Sequence, residues 1–194
     1  MNDCITTQSF HDDKKNIFIK MFFKNGLPHG ETITYKDSGE VIQKISFING
    51  KMNGEFILYD QKKMKARMNY KDDKLNNKAE YFDGNEKVMG VENYKDGKKE
   101  GLTEWKDNDG NILFREFYSD GKLNGEKSEY YPSGEIKKKS KYENGKITGQ
   151  PEKYDEHGNV IVDGEKKKNF VSQIIKAAAI IKKILTAKLG LEDY

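Results

Sequence analysis

One cysteine, Cys4, stands among the 194 residues of this chain. No intrachain disulfide can form, and a reducing compartment is allowed without being required. Apolar runs are short: none reaches the roughly 18 residues of a membrane-spanning helix. Met1–His11 has no basic stretch followed by an apolar one, so no signal peptide is expected, and the expected location is cytoplasmic. Histidine is scarce. His11, His29 and His157 are scattered, and none has a second histidine or cysteine at ligand spacing, which argues against zinc. No nucleophile–base pair can be named: Cys4 lies in a polar tail without a positioned base, and the carboxylates alternate with lysines as on a solvated face. The Asn-Gly-Lys-x-x-Gly segments lack the longer glycine loop, the Ser/Thr after lysine and the following helix of a phosphate loop. Turn chemistry explains them better. The sequence therefore predicts a non-enzyme without cofactor or metal. A dominant charge sign is missing too. The 35 basic and 32 acidic residues interleave to a net +3, so no nucleic-acid partner is expected.

What the chain does have is a repeat. An aromatic opens each of six copies: Phe23, Phe47, Tyr70, Tyr94, Tyr118 and Tyr142, at gaps of 24, 23, 24, 24 and 24 residues. Three residues on comes a first glycine (Gly26, Gly50, Gly97, Gly121, Gly145), with Asp73 standing in once. Four further comes a second (Gly30, Gly54, Gly101, Gly125, Gly149), with Asn77 standing in. Asp and Asn are the non-glycine residues that best tolerate positive φ, so both substitutions preserve the same backbone demand. Five residues later a ring returns in five copies, at Tyr35, Tyr59, Phe82, Tyr130 and Tyr154. Fixed spacing of rings and glycines argues against disorder even though charged residues reach 35%. Asn-Gly and Asp-Gly between alternating runs mark hairpins, and each repeat reads as two antiparallel strands.

The run aromatic-x-Asn/Asp-Gly-Lys-x-x-Gly-Glu-x-x-x-Tyr is complete in Phe47–Tyr59 and Tyr118–Tyr130, with similar stretches at Phe23–Tyr35 and Tyr142–Tyr154. It resembles the MORN-repeat proteins in their bacterial variant form, over roughly residues 20–163. Proteins of that look are commonly described as antitoxin-like components of toxin–antitoxin modules. The resemblance implies binding of a protein partner, a cognate toxin or effector, rather than catalysis.

Alternation assigns faces. Val41, Val88, Ile112, Ile136 and Val160 open the return strands with apolar side chains, with Lys65 as the exception. Counted by parity they share a face with the next opening aromatic, read as the inner, packed one. In the outgoing strands, Phe56, Leu58, Tyr81 and Trp105 fall opposite the repeated tyrosines, while the outer repeats place polar residues there. Three readings of that stripe stand open: it packs beneath another part of the chain, it binds a partner, or a bulge returns Trp105 to the tyrosine face.

After Asp163-Gly164 the composition changes. Glu165–Lys168 is a basic hinge, and Asn169 or Ser172 caps a helix running to about Lys188, with Gly190 as its stop. Phe170, Ile174, Ala178, Ile181, Leu185 and Leu189 fall on one side, and no acid stands between Asn169 and Gly190. Such a helix can cap the sheet, enter a partner's groove or pair with its own copy, or lie on an anionic membrane. The expectation is an all-β repeat, a single-layer antiparallel β-hairpin solenoid, with one C-terminal amphipathic α-helix. Its parts are a loose tail (1–15), a repeat domain (16–163) and a hinge with helix (164–194). The expected function is neutralisation of a protein partner by direct binding. Phe56, Leu58, Tyr81 and Trp105 form the first candidate surface, and the helix around Ile174, Ile181 and Leu185 the second. The alternative is a peripheral membrane scaffold.

Overall fold

The computed structural model describes residues 4–10 and 17–162. The strands are β1 (Cys4–Phe10), β2 (Ile17–Lys24), β3 (Leu27–Pro28), β4 (Gly30–Tyr35), β5 (Val41–Ile48), β6 (Lys51–Asp60), β7 (Lys63–Lys71) and β8 (Lys74–Phe82). They continue with β9 (Val88–Lys95), β10 (Lys98–Lys99), β11 (Gly101–Lys106), β12 (Ile112–Ser119), β13 (Lys122–Tyr130), β14 (Ile136–Glu143) and β15 (Lys146–Lys153). All fifteen belong to one sheet in which sequence neighbours pair antiparallel, with the short β3 and β10 attached to β2 and β9. The sheet is an open meander: β1 and β15 form its two ends and do not pair with each other. No helix occurs among the described residues, and the C-terminal helix read from the sequence lies outside them.

Two further readings change. Residues 4–10, read as part of a loose tail, form β1, which pairs along β2 from Cys4↔Lys24 to Phe10↔Ile17. Ile5, Thr6, Thr7 and Phe10 are strand-favouring residues, so β2 is the second strand of the sheet rather than its start. The exception at Lys65 also disappears. The Tyr59–Met64 turn is one residue shorter than its counterparts, and Met64 is the partner of Tyr59 as Val41 is of Tyr35 and Val88 of Phe82. Each of these pairs follows a one-residue register shift. The register thus joins the apolar return residues to the repeated rings rather than to the opening aromatics, because the parity count runs through the shift.

The two glycine slots do different work. The first builds the turn: Asn49 and Gly50 have φ of 50° and 84°, and Asp96 and Gly97 have 51° and 85°. Both central residues are thus left-handed, as a two-residue hairpin demands. Asp73, at φ 65°, meets the same demand without a glycine. Successive turns are tied together. The amide of Gly50 donates to the Pro28 carbonyl at 2.7 Å, Gly97 to Leu75 at 2.7 Å, Gly121 to Lys99 at 2.9 Å and Gly145 to Leu123 at 2.7 Å. The residue before the glycine adds a second tie: Asp120 N–H donates to Glu100 Oε2 at 2.8 Å, and Asp96 N–H to Asn76 Oδ1 at 3.3 Å. His29 serves there as well, accepting from Asn49 N–H at 3.4 Å. The second slot sits in a bulge beside the return strand, where a Cβ on Gly54 would lie 3.0 Å from Ser46 Cβ and one on Gly125 3.0 Å from Phe117 Cβ.

Only Ala66 and Ala79 are buried hydrophobics among the described residues. A single layer has no opposing surface to close on. Its cohesion comes from the backbone ladder, the turn ties and side chains leaning on their cross-strand neighbours.

Candidate functional site

Cross-strand partners share a face, and the register draws rows across the sheet. The opening aromatics face the second slot of the preceding hairpin: Phe47↔Gly30, Tyr70↔Gly54, Tyr94↔Asn77, Tyr118↔Gly101 and Tyr142↔Gly125. Four residues before each aromatic, on the same face, runs another row. It reads Thr34, Gln43, Leu58, Ala66, Tyr81, Gly90, Trp105, Phe114, Glu129, Lys138, Lys153 without a break. Its six central members, from Leu58 to Phe114, are apolar or aromatic. They cross six strands, about 24 Å at roughly 4.8 Å per strand. Polar residues close the row at both ends.

The predicted stripe therefore lies on the same face as the opening aromatics. Tyr81 and Trp105 come together as a stack, with ring centroids 5.0 Å apart and an interplanar angle of 27°. Gly90 is the register partner of both, and a Cβ there would meet the Trp105 ring carbons at 2.8 Å. The indole rests on a floor that only glycine provides. Leu58 belongs to the same row and is 40% exposed. Phe56 lies one row over, with its ring edge-on to Tyr70 at 6.1 Å. The register shift that could have turned Trp105 to the tyrosine face falls after it, between Trp105 and Lys106, and a shift at the corresponding place occurs in the other hairpins. Ile174, Ile181 and Leu185 lie outside the described residues.

Beside the row the same face buries carboxylates. Glu92 is 7% exposed. Its Oε2 accepts from Tyr94 Oη at 2.6 Å and Tyr81 Oη at 3.2 Å, and its Oε1 from Lys99 Nζ at 2.7 Å. Burial alone would raise its pKa, but the Lys99 ammonium and the tyrosine hydroxyls overcome this and hold it below the usual carboxylate range. The Lys99 ammonium also lies 5.1 Å from the centre of the Tyr118 ring. Glu116 repeats the arrangement, with Tyr118 Oη at 2.8 Å and Lys127 Nζ at 2.6 Å, and Lys127 lies over the Phe114 ring at 5.5 Å. Burial first, and the neighbouring carboxylates second, push the phenols of Tyr81 and Tyr118 up to about 12. On the opposite face Glu80 is held by Lys78 and Arg67, and Glu104 by Arg115 at 2.7 Å and Lys106 at 3.3 Å.

Sequence reasoning missed Phe114 because it followed the outgoing strands alone. It missed Glu92 and Glu116 because alternating acids and lysines read as a solvated face. The signal for Glu92 was its position two residues before an opening aromatic, on the aromatic's own face. No cluster of three or more His, Cys, Asp or Glu among the described residues could hold a metal. No helix among them is long and apolar enough to cross a membrane.

Residues 28–49 match a family model described as MORN repeat variant. Residues 94–151 match one described as the N-terminal part of the Histone H3 K4-specific methyltransferase SET7. No curated protein matches the chain. The matched segments include the Trp105 half of the stack and the last three opening aromatics. Residues 28–49 are thus similar to a MORN repeat, a module that generally binds proteins or membranes on a typically non-catalytic fold.

Proposed function

We propose that the repeat sheet is a protein-binding module whose contact surface is the row from Leu58 to Phe114, with Phe56 beside it. The observation that carries this reading is the Tyr81–Trp105 stack on Gly90, in a row bounded by polar residues at both ends. Partly buried aromatics with a preset geometry bury their remaining area at little entropic cost, which is why such residues dominate binding hot spots. The partner, on the resemblance to bacterial antitoxin-like proteins, is a cognate toxin or effector neutralised by occlusion in the cytoplasm. The segment around Ile174, Ile181 and Leu185 is a second candidate contact, or a site of self-association.

The test is affinity capture from the native cell lysate with three baits: wild type, Trp105→Ala, and a chain ending before Phe170. One stoichiometric protein lost with Trp105→Ala supports the reading. Loss on truncation alone moves the interface to the C-terminal segment.

A second reading, a peripheral membrane scaffold, is favoured by one observation. One turn edge of the sheet carries exposed Lys51, Lys74, Lys98, Lys122 and Lys146 in a column, each one repeat from the next. Vesicle flotation separates the two readings. Flotation only with anionic lipid, together with lysate baits that recover no protein, supports the scaffold and ends the neutraliser reading.

A further inference from the structure

We infer that β1 pairs antiparallel with β1 of a second copy of this chain, joining two sheets into one. β1 stands at one end of the sheet order. Its inner side is paired with β2 from Cys4↔Lys24 to Phe10↔Ile17, and no described strand lies on its outer side. Thr6, Thr7 and Ser9 are all exposed, although alternation sends Thr6 to one face and Thr7 and Ser9 to the other. Among the described residues, nothing covers these positions on either face.

Thirteen strands of the sheet are longer than two residues, and twelve of them carry charged side chains. β1, with the sequence Cys-Ile-Thr-Thr-Gln-Ser-Phe, carries none, and it has neither proline nor glycine. Charge, proline and brevity are the usual means by which an edge strand refuses another strand. β1 uses none of them, in a chain that is 35% charged. The far end of the sheet shows the contrast. β15 holds Pro151, which has no N–H to offer, with Lys146 and Lys153 in the same strand. A short return is tied to it through the Tyr154↔Val160 bridge and through Ile161 N–H, which donates to the Lys153 carbonyl at 2.8 Å.

One guarded and one unguarded end select the occupant. A guarded β15 is poorly placed to receive β1 of another copy, so head-to-tail addition, which would run on as a fibre, is blocked. Two β1 strands can meet about a two-fold axis and close. With all seven residues paired, Thr7 falls opposite Thr7 of the second copy and Thr6 opposite Gln8. No like charges meet, and a Thr–Thr cross-strand pair is favourable. In this register the two Cys4 positions stand about 20 Å apart along the ladder, well beyond disulfide reach. This pairing does not rest on the partner reading above, because the aromatic row begins several strands away. It adds to that reading. The two-fold axis of an antiparallel pair is perpendicular to the sheet, so both aromatic rows lie on one side of the joined sheet. Their Leu58 ends are then about 43 Å apart along it.

The test is sedimentation of the full-length chain in reducing buffer over a wide concentration range, with wild type, Thr7→Glu, Thr7→Lys and an equimolar mixture of the two variants. The expected result is a reversible wild-type dimer, a dissociation constant about fivefold higher for each variant alone, the scale of one cross-strand charge pair, and recovery in the mixture. Recovery shows that both variants are folded and places Thr7 at the two-fold axis. Four results overturn the proposal: a wild type that stays monomeric at every concentration, a dimer that neither variant weakens, a dimer that forms only without reductant, or weakened variants that mixing does not restore.

Discussion

At the scale of single residues, Gly90 and Trp105 are one device. A methyl group on Gly90 must displace the indole ring. Gly90→Ala is expected to cost about 1–3 kcal/mol by overpacking and to shift the emission of the only tryptophan, so a urea melt followed by fluorescence reports both. Thr103 points the other way. It is 1% exposed and its Oγ1 has no hydrogen-bond partner among the described residues. Thr103→Val removes a buried, unsatisfied hydroxyl at constant shape and should raise stability by about 1 kcal/mol. Glu92 sets the acid limit. Its folded pKa lies below the unfolded value, so its contribution is present above the unfolded carboxylate range and is lost as pH falls through the folded value. Below about pH 4 the wild type should lose stability faster with falling pH than Glu92→Gln, as thermal melts across pH would show. The tyrosines set the opposite limit. Tyr81 and Tyr118 have raised folded pKa values near 12, so the stability they hold is intact below about pH 10 and drains away as pH rises through 12.

At the scale of the hairpin, the turn is what the repeat preserves. Gly97 sits at φ 85°, and its amide ties its turn to Leu75 in the turn before. Gly97→Ala keeps the amide but forces an L side chain into the left-handed region, at an expected cost of about 1–2 kcal/mol in a denaturant melt. The positive-φ slots were legible in the sequence, including Asp73 in its turn and Asn77 in its bulge, because positive φ leaves a signature in residue type. The faces were legible only in part. Alternation holds within a strand, but each repeat here contains two register shifts, and parity counted across one of them assigns the wrong partner. Val41 illustrates this: it pairs with Tyr35, not with the row of Phe47. Met64 went unseen for a related reason, since a turn one residue shorter moves the apolar position by one. The pairing of Tyr81 with Trp105 was not readable at all. It depends on Gly90 lying between them in a strand that neither residue belongs to.

At the scale of the whole sheet, both turn edges carry charge of both signs, with ion pairs such as Lys98–Asp120 on one and Lys36–Asp60 on the other. The turns holding Lys51, Lys74, Lys98, Lys122 and Lys146 also hold Asp72, Asp73, Asp96 and Asp120. The opposite turns carry Asp37, Asp60, Asp83, Asp107 and Asp155, three of which have carboxylates pulled below their usual range by hydrogen bonds they accept. Between those edges runs the aromatic row, whose neighbouring carboxylates Glu92 and Glu116 are buried and paired with Lys99 and Lys127, which leaves the row as the surface where a protein partner gains most from burial. A contact there needs about 800 Å² per partner for a stable complex, so it must extend beyond the row onto the neighbouring Phe56 and Tyr70. That extension was not legible from composition, because Tyr70 reads as a core residue of its repeat. The most direct test labels the single tryptophan as 5-fluorotryptophan and follows its one fluorine resonance while the captured partner is added. A resonance that moves to a new position and saturates at one equivalent places Trp105 in the interface. A resonance that stays fixed while sedimentation shows the complex forming contradicts the account, and moves the binding surface off the aromatic row.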